Sequence, residues 1–282
     1  MMRRVLGLAL CAAVTAGSAF AQTKPGGIVA LGGSVTEIIF ALGASDRVVA
    51  RDSTSTYPRD AQALPDVGYM RALSPEGVLS VDPQLIVAEE GAGPPETIAV
   101  LNAADIDFVT VPEQYSPEGI ATKVRVVGEA IDEPAKARVL ADRIVDELAA
   151  VTARSREWTG EKKRVMFVLS TQGGRIMASG ADTAPASMIA MAGAQNAVTA
   201  FEGYKPMTDE AVIAAAPDVI LMMEREGTHD STVDELVALP SIASTPAGRD
   251  RAVIRMDGLY LLGFGPRTAA AVTDLRTALY GG

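Results

Sequence analysis

The stretch Gly68-Tyr69-Met70-Arg71-Ala72-Leu73-Ser74-Pro75-Glu76-Gly77-Val78-Leu79-Ser80-Val81-Asp82-Pro83-Gln84-Leu85-Ile86-Val87-Ala88 returns later in the chain with one residue deleted near the tyrosine. The second copy reads Gly203-Tyr204-Lys205-Pro206-Met207-Thr208-Asp209-Glu210-Ala211-Val212-Ile213-Ala214-Ala215-Ala216-Pro217-Asp218-Val219-Ile220-Leu221-Met222. A weaker echo pairs residues 38–50 with 188–200 and aligns Gly43-Ala44 with Gly193-Ala194. Both echoes keep the same order, which makes chance a poor account of them. Self-similarity of this kind marks repeated supersecondary units. Two similar lobes that face each other enclose a cleft, and clefts between lobes are preferred ligand sites.

Between the copies, Pro134 opens a segment that runs to Trp158 without another proline or glycine. Leu140, Ile144, Leu148 and Val151 form one helical stripe along it. With Asp132 as the cap and Gly160 as the stop, the helix extends roughly 35 Å at about 1.5 Å per residue, a spine between lobes. Apolar runs at 28–31, 48–50, 85–88, 108–111, 165–169, 219–222 and 253–256 alternate with helix-like segments, which predicts α/β lobes with largely parallel sheets. After the first run, Gly32-Gly33-Ser34 reads as a tight turn into a helix, with Ser34 and Glu37 at capping-box spacing. Neither a P-loop lysine nor a G-x-G-x-x-G pattern follows, so a phosphate cradle is not indicated.

Residues 1–21 have the plan of a secretory signal peptide: Arg3 and Arg4, an apolar run from Val5 to Val14, and Ala19-Phe20-Ala21 as the cleavage site. The run is shorter than the ~20 residues of a membrane-spanning helix. Leu8-Ala9-Leu10-Cys11 offers a lipid anchor as the alternative, although Leu10 is bulky for a lipobox. We expect soluble export to the periplasm, no stable membrane insertion and a monomer. The expected division is 22–132 for the first lobe, 133–159 for the linking helix and 160–282 for the second lobe. Cys11 is the only cysteine, so the exported chain has no thiol for disulfide, zinc or nucleophilic chemistry. The net charge of −10 argues against nucleic acid and anionic membrane as partners.

Three segments carry a more specific likeness: Val67-Gly68-Tyr69-Met70-Arg71-Ala72-Leu73-Ser74, Glu202-Gly203-Tyr204-Lys205-Pro206, and Leu259-Tyr260-Leu261-Leu262-Gly263-Phe264-Gly265-Pro266-Arg267-Thr268. They resemble the haem-binding periplasmic proteins of bacterial haem ABC importers, and the resemblance covers nearly the whole chain after the leader. That family belongs to the rigid-spine class of solute-binding proteins, together with the vitamin B12 and ferric siderophore binders, whose ligands are the alternatives to haem within this class. The resemblance implies two Rossmann-like lobes joined by a single long helix, haem b as the transported ligand, no catalysis, and the permease subunits of an ABC importer as partners.

In that family the tyrosine of a G-Y-[ML]-R motif ligates the haem iron, which maps onto Tyr69. The chemistry is sound, because ferric iron is a hard cation that suits an anionic phenolate oxygen. Tyrosine's reference pKa of about 10 must be offset by nearby positive charge and by the metal. The resemblance implies Arg225 beside the phenolate and Arg71 near the ligand rim, and either guanidinium could instead hold a haem propionate. Gly68 and Met70 flank the ligand position. Tyr204 holds the equivalent place in the second copy, but Lys205-Pro206 follows it, so it is expected to line the cleft or pack. Tyr57, Tyr115, Tyr260 and Tyr280 are expected to be structural.

Glu76 and Glu210 are equivalent in the repeat. The resemblance implies that one glutamate per lobe docks onto arginines of the permease. Arg267 is read either as facing the cleft or as a surface arginine at a helix start. Some relatives hold two stacked haems with a histidine from the second lobe. The only histidine here, His229, sits in the polar stretch Glu224-Arg225-Glu226-Gly227-Thr228-His229-Asp230, which favours one five-coordinate haem. A hydrolase is the rival from another class, but no G-x-S-x-G elbow is present and a conventional triad would have to use His229. A metalloenzyme lacks a histidine pair such as H-E-x-x-H.

Overall fold

A parallel strand is covered on both faces and therefore reads as a continuous apolar run. The runs of this sequence fold that way in the computed structural model, which describes residues 27–224 and 232–281. Strands β1 (Ile28–Leu31), β2 (Val48–Arg51), β3 (Leu85–Glu89) and β4 (Asp107–Val111) form a four-stranded sheet in the order β2-β1-β3-β4, parallel throughout. The second sheet contains β5 (Arg164–Ser170), β6 (Ile176–Ser179), β7 (Gln195–Asn196), β8 (Tyr204–Met207), β9 (Val219–Glu224) and β10 (Val253–Asp257). Its parallel part runs β7-β5-β9-β10, which repeats the order of the first sheet. Added to this repeat is an antiparallel pair, β6 with β8, attached to β5.

Helices α1 (Gly33–Ala41), α2 (Pro75–Leu79), α3 (Pro95–Ala103) and α4 (Pro117–Ala130) accompany the first sheet in sequence. Helix α5 (Pro134–Arg156) follows, and its 23 residues make a rod of about 35 Å. Helices α6 (Ala184–Met191), α7 (Asp209–Ala215), α8 (Val233–Val237), α9 (Pro240–Ala243), α10 (Pro246–Arg249), α11 (Gly258–Leu262) and α12 (Thr268–Tyr280) come after it.

Successive side chains on a strand point to opposite faces, and this sorts the apolar residues into three clusters. Ile28 and Ala30 of β1 share one core with Val165 and Phe167 of β5 and with Leu140, Ile144, Leu148 and Val151 of α5. Val29 and Leu31 pack on the far face of the first sheet with Val78 and Leu101. Met166 and Val168 pack on the far face of the second with Val212 and Leu236. The middle cluster therefore belongs to both sheets, and the stripe on α5 runs through it.

Two expected helix starts differ in detail. Helix α1 begins at Gly33, with Gly32 (φ 114°) as its N-cap and no side-chain cap. Ser34 and Glu37 lie buried inside the helix and make long-range contacts instead of a capping box. Asp132 takes a left-handed turn (φ 57°) and does not cap α5, which starts after Glu133 without a side-chain cap and ends at Arg156, ahead of Gly160.

Helices α4 and α5 approach closely at Gly128, where an added Cβ would collide with the Cβ of Ala137. Gly128→Ala should therefore lower stability by about 1–3 kcal/mol through overpacking, even though alanine is the better helix former. Urea denaturation followed by circular dichroism would measure the change.

Candidate functional site

In open α/β sheets ligands gather beyond the carboxyl ends of the strands, and the main cavity lies there. Its volume is about 830 Å³, with walls from both halves: Gly33 and Ser34 follow β1, Glu89 ends β3, Glu224 ends β9, and Asp257 ends β10. The size falls within the roughly 300–1,000 Å³ of ligand pockets. Buried Asp52 shapes one wall by accepting hydrogen bonds from Gly32 N (3.0 Å), Thr54 N (2.9 Å), Thr54 Oγ1 (2.6 Å) and Ser55 Oγ (2.7 Å).

Tyr69 lines this cavity, and 46% of its surface is exposed. Its backbone is fixed on both sides. Gly68 precedes it at φ 101°, with no heavy atom within 4 Å of an added Cβ, so the glycine is needed for the turn and not for space. Gly68 N donates to Asp66 Oδ1 at 2.8 Å, and Ser53 N donates to Gly68 O at 2.9 Å. After the tyrosine, Ala72 N donates to Tyr69 O (2.8 Å) and Gly93 N to Met70 O (2.9 Å). Met70 is buried. The tyrosine ring stands on a tied turn and faces the cleft.

Arg71, Tyr204, Gly68 and Met70 are not among the described residues that line the cavity. Arg71 and Tyr204 nevertheless come together with Tyr115. Burial pushes the Tyr204 phenol up to about 12, the nearby Tyr115 adds to the rise, and the charge of Arg71 offsets part of it. The Tyr115 phenol is likewise raised by burial, with Arg71 opposing the rise. Tyr204 is nevertheless 42% exposed. Tyr115 also packs edge-on against Phe264, with ring centroids 5.1 Å apart. Arg225 and His229 lie outside the described residues, as do Cys11 and the leader 1–21.

Arg267 faces the cleft. Its guanidinium lies 3.6 Å from the Tyr57 ring centroid and 5.0 Å from that of Tyr260. Nε donates to Glu37 Oε1 at 3.0 Å, and Nη2 lies 3.0 Å from Glu37 Oε2. Burial raises the pKa of Glu37, and the arginine opposes that rise. Tyr57 lines the cavity as well. Tyr260 is anchored by its hydroxyl to Asp274 Oδ2 at 2.8 Å, and Tyr280 donates to Gly193 O at 3.1 Å.

Sequence reasoning also passed over Lys123, whose side chain is 0% exposed. Its ammonium lies 3.1 Å from Glu89 Oε1, 2.6 Å from Glu113 Oε2, 3.1 Å from Ser34 Oγ and 3.2 Å from Gly263 O. Ser34 Oγ in turn donates to Glu89 Oε2 at 3.0 Å. Burial lowers the lysine pKa, and Glu89 opposes that shift. This cluster sits under the cavity wall at Glu89. On the outer surface, Glu76 and Glu210 occupy matching exposed positions in the first turns of α2 and α7. Ser74 Oγ accepts from Gly77 N (3.0 Å) and Thr208 Oγ1 from Ala211 N (3.2 Å). The backbone and the Thr208 hydroxyl hold the Glu210 carboxyl below its usual range.

Two similar sheets with a ligand-sized cleft between them define a solute-binding protein, and the chain belongs to the periplasmic binding protein family, whose sequence profile matches residues 28–259. It is similar to the periplasmic heme-binding protein RhuT from Roseiflexus sp. RS-1, solved in apo form, at 41% identity and a TM-score of 0.86, over 91% of this chain and 98% of that one. A structure of the periplasmic heme-binding protein BhuT in complex with two hemes is 39% identical with a TM-score of 0.85, over 89% of this chain and 97% of that one. A vitamin B12-binding protein from Vibrio parahaemolyticus is 26% identical, over 75% of this chain and 77% of its own length.

Replacing Lys123 by methionine would leave Glu89 and Glu113 facing each other without a cation. We expect Lys123→Met to cost about 3–5 kcal/mol at neutral pH. Urea denaturation followed by circular dichroism would measure the loss.

Proposed function

We propose that the chain is exported through the leader 1–21 as a monomer to the periplasm, captures haem b in the cleft between its two lobes, and delivers it to the permease subunits of an ABC importer. The observation that carries this reading is Tyr69: a phenol on a tied turn, open to a cavity of about 830 Å³, in a chain about two-fifths identical to proteins described as periplasmic heme-binding. The protein is a binder and not an enzyme. It takes its cargo in one state, holds it by shape, iron ligation and charge, and releases it to a partner.

In this reading the Tyr69 oxygen ligates the ferric iron from one side. The role of stabilising the phenolate is assigned to Arg225 by the family resemblance, and Gly68 sets the turn that aims the ring. Met70 holds that turn from beneath. Arg71 and Tyr204, which come together with Tyr115, are assigned to contacts with the ligand. Glu76 and Glu210 present one carboxylate per half to cationic side chains of the permease. Cobalamin is the second reading, favoured by the vitamin B12-binding relative. It shares the fold and the cleft but has no use for a phenolate oxygen.

Hemin added to the mature protein should give a high-spin ferric spectrum with a charge-transfer band. Tyr69→Phe keeps the ring and removes only the oxygen, so it should abolish the band and weaken binding tenfold or more, which is about 1.4 kcal/mol or above. An unaltered spectrum in this variant, or capture of cobalamin in preference to hemin, would reject the assignment. Glu76→Ala combined with Glu210→Ala should leave the hemin spectrum intact while slowing haem uptake into vesicles that hold the importer. Undiminished uptake would count against docking through these residues.

A further inference from the structure

The cavity wall has an uneven charge balance. Among the described residues that line it, Glu89, Glu224 and Asp257 are acidic and Arg267 alone is basic. Haem b carries two propionate carboxylates, and an anionic group entering such a cleft needs a cation to meet it. The Lys123 ammonium is unavailable, because it is fully buried and already committed to Glu89 and Glu113. Arg267 is differently placed, with 26% of its side chain exposed.

The guanidinium has five N–H donors. Glu37 engages its Nε and Nη2, while Nη1 makes no hydrogen bond or ion pair with a described residue, and Nη2, though 3.0 Å from Glu37 Oε2, is buried without a hydrogen bond. The stack on Tyr57 and the contact with Tyr260 fix its plane before any ligand arrives, so little side-chain freedom is lost on binding. Glu37 is itself buried, while the partly exposed Arg267 side chain lines the cavity. Resting on the haem reading above, we propose that Arg267 receives a propionate of the bound porphyrin and makes the cleft selective for porphyrins with free carboxylates.

Hemin and hemin dimethyl ester share one ferric ring system and differ at these carboxylates, so titrating both into the intact mature protein isolates the term. The wild type should bind hemin about tenfold or more tightly than the ester, the scale of one charge-assisted hydrogen bond. Arg267→Gln should erase most of that preference by weakening hemin while sparing the ester, with the charge-transfer band unchanged in position. Because Arg267→Gln strands a buried carboxylate, the double variant Arg267→Gln with Glu37→Gln keeps the test valid if the single variant folds poorly. A hemin-to-ester ratio that survives in these variants, an equal loss for both porphyrins, or a displaced band would each overturn the proposal. If the wild type binds both porphyrins equally with a Tyr69-dependent band, this inference fails and the haem reading stands; if it binds neither, both fail.

Discussion

One apolar core serves two sheets, and the shape of the cleft depends on it. Alternate residues of β1 and β5 turn toward the same cluster, and the stripe of α5 fills the middle. A core shared in this way ties the two halves together through close packing, which resists small displacements because interiors are as dense as organic crystals. Two polar links between parts of the chain distant in sequence stand above that core. Lys123 reaches the carbonyl of Gly263, and Arg267 reaches Glu37. The floor of the cavity is thus set by packing and its walls by charge pairs that are largely out of water.

This arrangement separates two tasks. Rigid positions at the strand ends carry the carboxylates and the start of α1, whereas Tyr69 sits on a turn held by backbone hydrogen bonds and by the Asp66 carboxylate. A phenol presented from such a turn keeps its oxygen open to the cleft. Tyr204, at the equivalent place in the repeat, is exposed to a similar degree, 42% against 46% for Tyr69, but it does not line the cavity. Two copies of one sequence motif therefore meet different surroundings.

Apart from the two-residue β7, the strands of both parallel sheets, the apolar stripe of α5 and the repeat were legible in the sequence, because burial on fixed faces leaves a periodic trace. The β6 and β8 pair was not. β8 is largely exposed and contains Lys205 and Pro206, which leaves little apolar signal to read. Ser34 and Glu37 have the spacing of a capping box, but spacing is blind to burial, and their partners Glu89 and Arg267 lie 55 and 230 residues away. Lys123 hid for the same reason, since a lysine within a helical pattern reads as solvated until its acceptors are brought around it. Tyr69 stood out through its motif, while Tyr57 and Arg267 acquired meaning only when the fold brought them face to face.

The repeated strand order has a further outcome. Apart from the β6 and β8 pair, the described strands of the two halves present one pattern twice over, so a partner that touched only the shared elements would find much the same scaffold at either end of the molecule. The antiparallel ribbon has no counterpart among the described residues of the first half. Together with the three short helices α8–α10 that stand where the first half has α3, it lets a partner tell one half from the other.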